Sequence, residues 1–267
     1  MSRSPDPPAS SGVRALPAFL SLPGLRAGWN FVWGLAADAL VCLYTVLLGL
    51  PCIALTLATR KGWPVDVFFK VWSRWIVRTC GMDIEVRGLE NVDLSGRYVI
   101  LSNHLSNLDI PATVAALPMK IRFVAKKELL RVPIFGQALR MSDHIVIDRD
   151  NPAEAVETIN RRATEQASEG FCVLFYAEGT RSPDGKIGRF KKGGVVFALR
   201  TGLPILPLTV SGTRKFLPKD SLRIRPGGKV RLVLDRPIPT EGLGLEQRDE
   251  LNERVREIIV RNYDETL

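Results

Sequence analysis

The run RYVILSNHLSNLDIPATVAAL, residues 97–117, opens on a short apolar segment, crosses a polar stretch holding one histidine and one aspartate, and leaves past a proline into an alanine-rich segment. A brief β-branched and aromatic run bounded by turn formers reads as a strand, and Pro111 suits the first turn of a helix. The segment is therefore strand, loop, helix. The same alternation continues on both sides. Further strands are expected in MDIEVRG (82–88), IRFVAK (121–126), HIVIDR (144–149), FCVLFY (171–176), PILPLTVSG (204–212) and KVRLVLDRPI (229–238). Helices are expected in PATVAAL (111–117), KELLRVPIFGQALR (127–140), PAEAVETINRRATEQASE (152–169), GGVVFALRTG (193–202) and LEQRDELNERVREIIVRNY (245–263). Strands alternating with helices imply an α/β fold with a mixed, largely parallel sheet flanked by helices, its last two strands pairing antiparallel at an edge.

Outward from this core the composition narrows the class. The chain has 267 residues, 37 Lys+Arg against 28 Asp+Glu, a net charge of +9, and 46% apolar residues. These values exclude a wholly disordered protein and a polytopic transporter, and no repeat points to a solenoid. The charge excess implies a polyanionic partner: nucleic acid, an anionic lipid surface, or phosphorylated and thioester-carrier substrates. Nucleic acid is disfavoured, because the basic residues are scattered without interleaved exposed aromatics. The four cysteines lie far apart and there are only two histidines, so neither a disulfide framework nor a metal site is expected. Buried reduced thiols fit better.

Residues 1–24 are rich in Pro, Ser and Gly and read as a disordered leader; no short apolar core with a cleavage site marks a secretory signal. Residues 25–80 read as a membrane-associated helical segment and 81–267 as the α/β domain. Between Asp38 and Arg60 run 21 uncharged residues, long enough for a span, although Gly49 and Pro51 interrupt them. A span, a re-entrant or interfacial segment, and a buried helix all remain open from length alone. On a helical wheel of 64–80, Val65, Phe68, Phe69, Trp72, Trp75, Ile76 and Thr79 share one side, with Lys70, Arg74 and Arg78 opposite. That pattern predicts an interfacial helix, aromatics toward acyl chains and cations toward lipid phosphates.

In open α/β sheets ligands bind beyond the carboxyl ends of strands. Those ends carry His104 and Asp109, Lys126 and Lys127, Arg149, and Glu178 with Arg181. Neutral histidine can take a proton from a hydroxyl. Asp109 can orient it only if the chain turns around 105–108, because five residues along a continuous helix place the two side chains well apart. No activated Ser or Cys elbow lies nearby, so direct attack by a substrate hydroxyl is simpler than a covalent intermediate, with N–H groups of a strand-to-helix turn available for the oxyanion. In YAEGTRSPDGKIGRFKKGG (176–194) the glycines allow a tight loop, Arg181 can hold a phosphate bidentately, and Lys186, Arg189, Lys191 and Lys192 surround it with positive charge. Glu178 is expected either to orient Arg181 or to bond a substrate hydroxyl.

The blocks NHLSNLD (103–109), AKKELLRVPIFG (125–136), IVIDR (145–149), EGTRS (178–182) and LPILPLTVSG (203–212) resemble, in order, those of the glycerolipid acyltransferase family, and are most similar to the 1-acyl-sn-glycerol-3-phosphate acyltransferases. The resemblance covers about 80–215. It implies transfer of a fatty acyl group from acyl-CoA or acyl carrier protein to a lysophosphatidic acid hydroxyl, with no cofactor beyond that donor. By resemblance His104 is the base and Asp109 its orienting partner. Glu178, Gly179, Thr180 and Arg181 form an acceptor-binding block, with Lys126 and Arg149 as further acceptor contacts and Pro207 lining a pocket. It also implies attachment of residues 25–80 to the cytosolic face of the membrane, monotopic or single-pass, and favours the monotopic form. Two departures stand out: Ala177 where the family usually has proline, and Asp143–His144 ahead of IVIDR, expected to affect which lysolipid is accepted.

Overall fold

The computed structural model describes residues 23–60, 62–148, 150–221 and 223–267, so nearly all of the expected leader lies outside the described residues. Its centre is a seven-stranded sheet of β1 (Met82–Arg87), β2 (Val99–Ser102), β3 (Ile121–Lys126), β4 (Ile145–Ile147), β5 (Cys172–Tyr176), β6 (Ile205–Ser211) and β7 (Gly228–Leu234), in the order β1-β7-β6-β2-β5-β3-β4. From β6 through β4 neighbouring strands are parallel; β7 lies antiparallel on β6, and β1 pairs parallel with β7. The carboxyl ends of β6, β2, β5, β3 and β4 therefore share one edge.

Around the sheet lie α1 (Pro23–Thr59), α2 (Trp63–Cys80), α3 (Asp109–Ala116), α4 (Phe135–Met141), α5 (Pro152–Ser168), α6 (Gly193–Thr201), α7 (Thr213–Phe216) and α8 (Arg248–Asn262). Successive strand residues point to opposite faces. Ile100 joins Val65, Phe69, Ile76 and Phe123 in one core, whereas Val99 and Leu101 join Val173, Phe197 and Val255 in the other. Both faces are covered, which is why the strands read as near-continuous apolar runs. The helix expected over 127–140 is broken instead into a 3-10 turn, Lys127–Arg131, and α4. Pro133 disfavours helical geometry at Val132, and Ile134 turns the chain with φ of 63°. Cys52, Cys80 and Cys172 are buried free thiols, burial pushing Cys80 up to about 12 and Cys172 up to about 11; Cys42 is exposed, contrary to expectation.

Gly49 and Pro51 do not break the first helix: α1 runs continuously with Pro51 inside it. Gly34, Ala37, Cys52 and Thr56 form a buried stripe, while Phe31, Leu35, Leu43, Val46, Leu47, Leu50 and Leu57 are exposed. Gly49 is where the helix touches the domain closely, since a Cβ there would sit 2.3 Å from Ile134 Cγ2. Within 28–59 the most apolar 18-residue stretch of α1 has a mean hydropathy of 2.3, and the helix is long and apolar enough to cross a membrane. Its bare apolar side fits membrane association.

The interfacial role expected for α2 is not what the structure shows. Val65, Phe68, Phe69 and Ile76 are buried in the domain core, Trp72 Nε1 donates to Thr45 Oγ1 at 3.0 Å, and the hydroxyls of Thr79 and Tyr44 are hydrogen-bonded at 2.8 Å. The aromatic side of α2 thus packs between α1 and the sheet. A helical wheel gives the same signal for a protein core as for acyl chains. Lys70 is also redirected: its ammonium donates to the Val114 and Leu117 carbonyls at 2.6 and 2.8 Å, closing the C-terminal end of α3. Burial, with Arg74 nearby, holds the Lys70 amine below its usual range. Arg74 and Arg78 remain exposed.

Arg122 of β3 is buried, stacks 3.8 Å from the Phe171 ring centre, and donates to both carboxylate oxygens of Asp66 on α2, at 2.5 and 3.2 Å. Removing the acid leaves a buried guanidinium with its main partner lost. Asp66→Ala is expected to lower unfolding free energy by about 2 kcal/mol, read as a reduced denaturation midpoint; an unchanged midpoint would show that the pair contributes nothing.

Candidate active site

The shared carboxyl edge of the sheet assembles the candidate site. After β2 the chain turns sharply through 103–108 before α3 begins at Asp109. Asn103 fixes the start of the turn: its side-chain amide donates to the Val210 carbonyl and its oxygen accepts from the Val210 N–H, both at 2.8 Å, extending the β2–β6 contact by a side chain. Asp109 fixes the end. Its Oδ2 accepts from His104 Nδ1 at 2.7 Å, from the Leu105 N–H at 2.7 Å and from the Ser106 N–H at 3.0 Å, and its Oδ1 accepts from Thr213 Oγ1 at 2.5 Å. The chain does turn where pairing of His104 with Asp109 requires it.

Because the carboxylate accepts a hydrogen bond from Nδ1–H, the position left for a lone pair on His104 is Nε2, which makes no hydrogen bond among the described residues. The imidazole lies flat on Tyr176, centroids 4.0 Å apart and planes 16° from parallel. Register explains the contact: Ser102 pairs with Tyr176 across β2 and β5, placing the aromatic beside the emerging turn. Burial, with the Asp109 charge nearby, holds the Tyr176 phenol well above its usual range. Neither Tyr176 nor Thr213 was singled out from the sequence; an aromatic closing β5 and a hydroxyl following β6 were the available signals.

Glu178 does not orient Arg181; both of its oxygens meet backbone donors. Its Oε1 accepts the His104 backbone N–H and its Oε2 the Gly188 N–H, each at 3.0 Å. It forms no ion pair with Arg181 among the described residues. The carboxylate clamps the His104 turn to the loop after β5, and burial raises its pKa against the lowering effect of the two N–H groups. The loop is pinned further by Ser182 N–H to the His104 carbonyl at 2.7 Å, Arg214 to the Pro183 carbonyl at 2.8 Å, Tyr263 hydroxyl to the Gly185 carbonyl at 2.7 Å, and Arg256 to the Gly188 carbonyl at 3.0 Å.

Arg181 follows this clamp, half-buried and without an acidic partner among the described residues; Thr180 is exposed. Gly179 needs its left-handed φ of 71°, and a Cβ there would meet Lys191 at 2.8 Å. Between Gly179, Lys191, Tyr176 and the apolar Val124, Ile147 and Phe175 lies a cavity of about 120 Å³. Lys126 reaches the carboxyl edge on β3 but pairs with Glu128 at 2.9 Å, and Lys127 pairs with Asp148. Arg149 lies outside the described residues. Pro207 is not at the edge: it sits inside β6 opposite Leu101, buried in the sheet, and lines none of the cavities described here. His144 is likewise away from the edge, opposite the middle of β3, stacked 3.7 Å from Phe123 with Nδ1 accepting the Phe123 N–H at 3.3 Å. Burial, then Arg122, lowers it well below the usual histidine range, so it is a neutral core residue and not an acceptor contact.

Comparison with known proteins agrees with this fold. A family model described as "Acyltransferase" matches residues 83–211. A 1-acyl-sn-glycerol-3-phosphate acyltransferase of Limnanthes alba is 30% identical over 228 residues, spanning 83% of this chain and 80% of that protein. One from Pseudomonas aeruginosa is 36% identical over 186 residues, 70% of each. The chain spans 44% of a chloroplastic relative from Brassica napus, 37% identical over 155 residues. A crystal structure of the 1-acyl-sn-glycerophosphate acyltransferase from Thermotoga maritima superposes with a TM-score of 0.75 at 28% identity, over 88% of this chain and 95% of the other.

The Glu178 geometry predicts a particular defect. In Glu178→Gln one backbone N–H faces an amide NH2 instead of an oxygen, loosening the His104 turn while leaving Arg181 in place. The substitution is expected to lower kcat at least about tenfold, equivalent to one buried hydrogen bond, with little change in acceptor KM. A raised KM at unchanged kcat would return Glu178 to the role of a substrate ligand.

Proposed function

The chain belongs to the 1-acyl-sn-glycerol-3-phosphate acyltransferase family, and from that premise we propose that it acylates the free hydroxyl of lysophosphatidic acid to form phosphatidic acid, with His104 as the general base. The observation that carries the reading is the His104–Asp109 pair at the sheet edge, whose Nε2 makes no hydrogen bond among the described residues, with the half-buried Arg181 on the loop tied to the His104 carbonyl through the Ser182 N–H. The acceptor phosphate docks on Arg181. Its hydroxyl proton passes to Nε2 as the oxygen attacks the thioester carbonyl; the ester C–O bond forms, the C–S bond breaks, and the thiolate of CoA or acyl carrier protein departs. A thiolate is stable enough near neutrality to leave without a strong acid. Asp109 keeps the imidazole in the reactive tautomer and supports its charge after proton transfer. The N–H groups of Leu105, Ser106, Leu108 and Asp109 are all used within the turn, so the oxyanion stabilisation expected from them falls to other donors.

Attachment to one face of the membrane follows from α1. Gly34 is packed against Arg223 and Ile224, and Gly49 against Ile134, so the helix rests on the domain at two points more than three turns apart. A helix held lengthwise against a globular domain lies along a bilayer more readily than across it, and its exposed leucines supply the embedded face. We place that face on the cytosolic leaflet, where the acyl donors are made.

Product analysis by mass spectrometry, offering a panel of lyso acceptors with CoA and carrier-protein thioesters, tests the reading directly. His104→Ala is expected to cut turnover by about 10²–10⁴-fold in a folded protein, and activity like that of the wild type would overturn the assignment. Arg181→Ala is expected to raise acceptor KM by about 10–100-fold, the value of one charge-assisted contact. Leu43→Lys with Leu47→Lys should release the protein from sedimenting vesicles, and retention would point to a different attachment.

A further inference from the structure

Two restraints hold the imidazole of His104, and they act in different directions. The hydrogen bond from Nδ1 to Asp109, at 2.7 Å, fixes the tautomer and one edge of the ring. A bond at one edge leaves the ring free to tilt about it. Tyr176 removes that tilt: the imidazole lies flat on its ring, with centroids 4.0 Å apart and planes 16° from parallel. Any rotation off this face drives one side of the imidazole into the aromatic and lifts the other out of contact.

Tyr176 is itself a fixed surface. It closes β5 in register with Ser102 of β2, and its carbonyl accepts the Gly179 N–H at 2.9 Å. Its side chain packs against the core that contains Leu108 and Ala112, at the start of α3. The hydroxyl is buried and makes no hydrogen bond with His104 or Asp109 among the described residues, and the phenol, held well above its usual range by burial, stays uncharged. What the residue offers the histidine is therefore the face of its ring. A proton arriving on Nε2 turns the imidazole into a cation lying on that face, well within the distance at which a π system attracts a cation. We infer that Tyr176 is a positioning residue for the reaction, holding the plane of His104 so that Nε2 meets the acceptor hydroxyl and supporting the imidazolium that results. The inference rests on the reading of His104 as the base. Tyr176 also borders the cavity of about 120 Å³ beside Gly179 and Lys191, so direct contact with substrate is the competing role that the test has to separate.

The test uses the full chain in detergent micelles with lysophosphatidic acid and acyl-CoA. Tyr176→Leu and Tyr176→Met fill the site without a π face, and each is expected to lower kcat about five- to tenfold with KM for both substrates unchanged. Tyr176→Phe keeps the face, drops the hydroxyl and should match the wild type. The chain has two histidines, His104 and His144, so NMR of histidine-labelled protein shows two imidazoles, and His104→Ala tells them apart. The stacked ring should hold the His104 ring protons upfield in the wild type and Tyr176→Phe. They should move downfield in the Leu and Met variants, while unmoved His144 signals report an intact sheet. The proposal is overturned if the wild-type His104 signals are not upfield, if the Leu and Met variants keep full kcat, if Tyr176→Phe loses as much as they do, or if KM rises at unchanged kcat. The stack is read without turnover, so a His104→Ala protein that still forms phosphatidic acid would refute the assigned base separately.

Discussion

The carboxylate of Asp109 accepts four hydrogen bonds, and the geometry of the site depends on them. Two come from backbone N–H groups and bend the chain after β2, one orients the imidazole of His104, and one ties the turn to the start of α7. A buried carboxylate is tolerated only when its lone pairs are met. Here the partners that meet them are also the parts that must be brought together, so satisfying the charge and building the site are one event. Asp109 also begins α3, where a negative charge is favoured by the helix dipole.

The support extends well beyond the turn. Lys70 closes the far end of α3 from α2, and α2 is fixed to the sheet by Arg122 and to α1 by Trp72 and Thr79. A continuous set of contacts therefore runs from the apolar helix to the His104–Asp109 pair. The apolar helix and the candidate site share one scaffold, and the orientation of the sheet's carboxyl edge relative to α1 is set by packed side chains, not by a linker.

Much of this was legible in the sequence. The alternation of strand and helix gave the α/β sheet, because strands buried on both faces carry an unbroken apolar signature; the antiparallel β6–β7 pair expected at an edge lies one strand in, with β1 outside β7. His104 with Asp109 was legible as a conditional statement, since the turn between them decides whether they meet. Less legible were residues whose partners are backbone atoms. Glu178 looked like a ligand because it stands among cations, yet both its oxygens are taken by N–H groups that no sequence pattern displays. Lys70 was misread for a related reason: amphipathicity records that one side of a helix is apolar without recording what covers it. Tyr176 needed the β2–β5 register, and Thr213 the β2–β6 neighbourhood, before either could be connected with a histidine far away in sequence. Pro207 was placed by its block and not by its strand position, which puts it inside the sheet.

The glycine-rich loop after β5 is held by Glu178 within itself, by Arg214 from α7, and by Arg256 and Tyr263 from the end of the chain. Loops that sequester substrates in many enzymes close on hinges that are free to rotate. This one has its backbone carbonyls fastened from three directions, so it forms a fixed rim. Exclusion of water then has to come from the reactants themselves, with a lipid tail and a fatty thioester displacing solvent as they arrive.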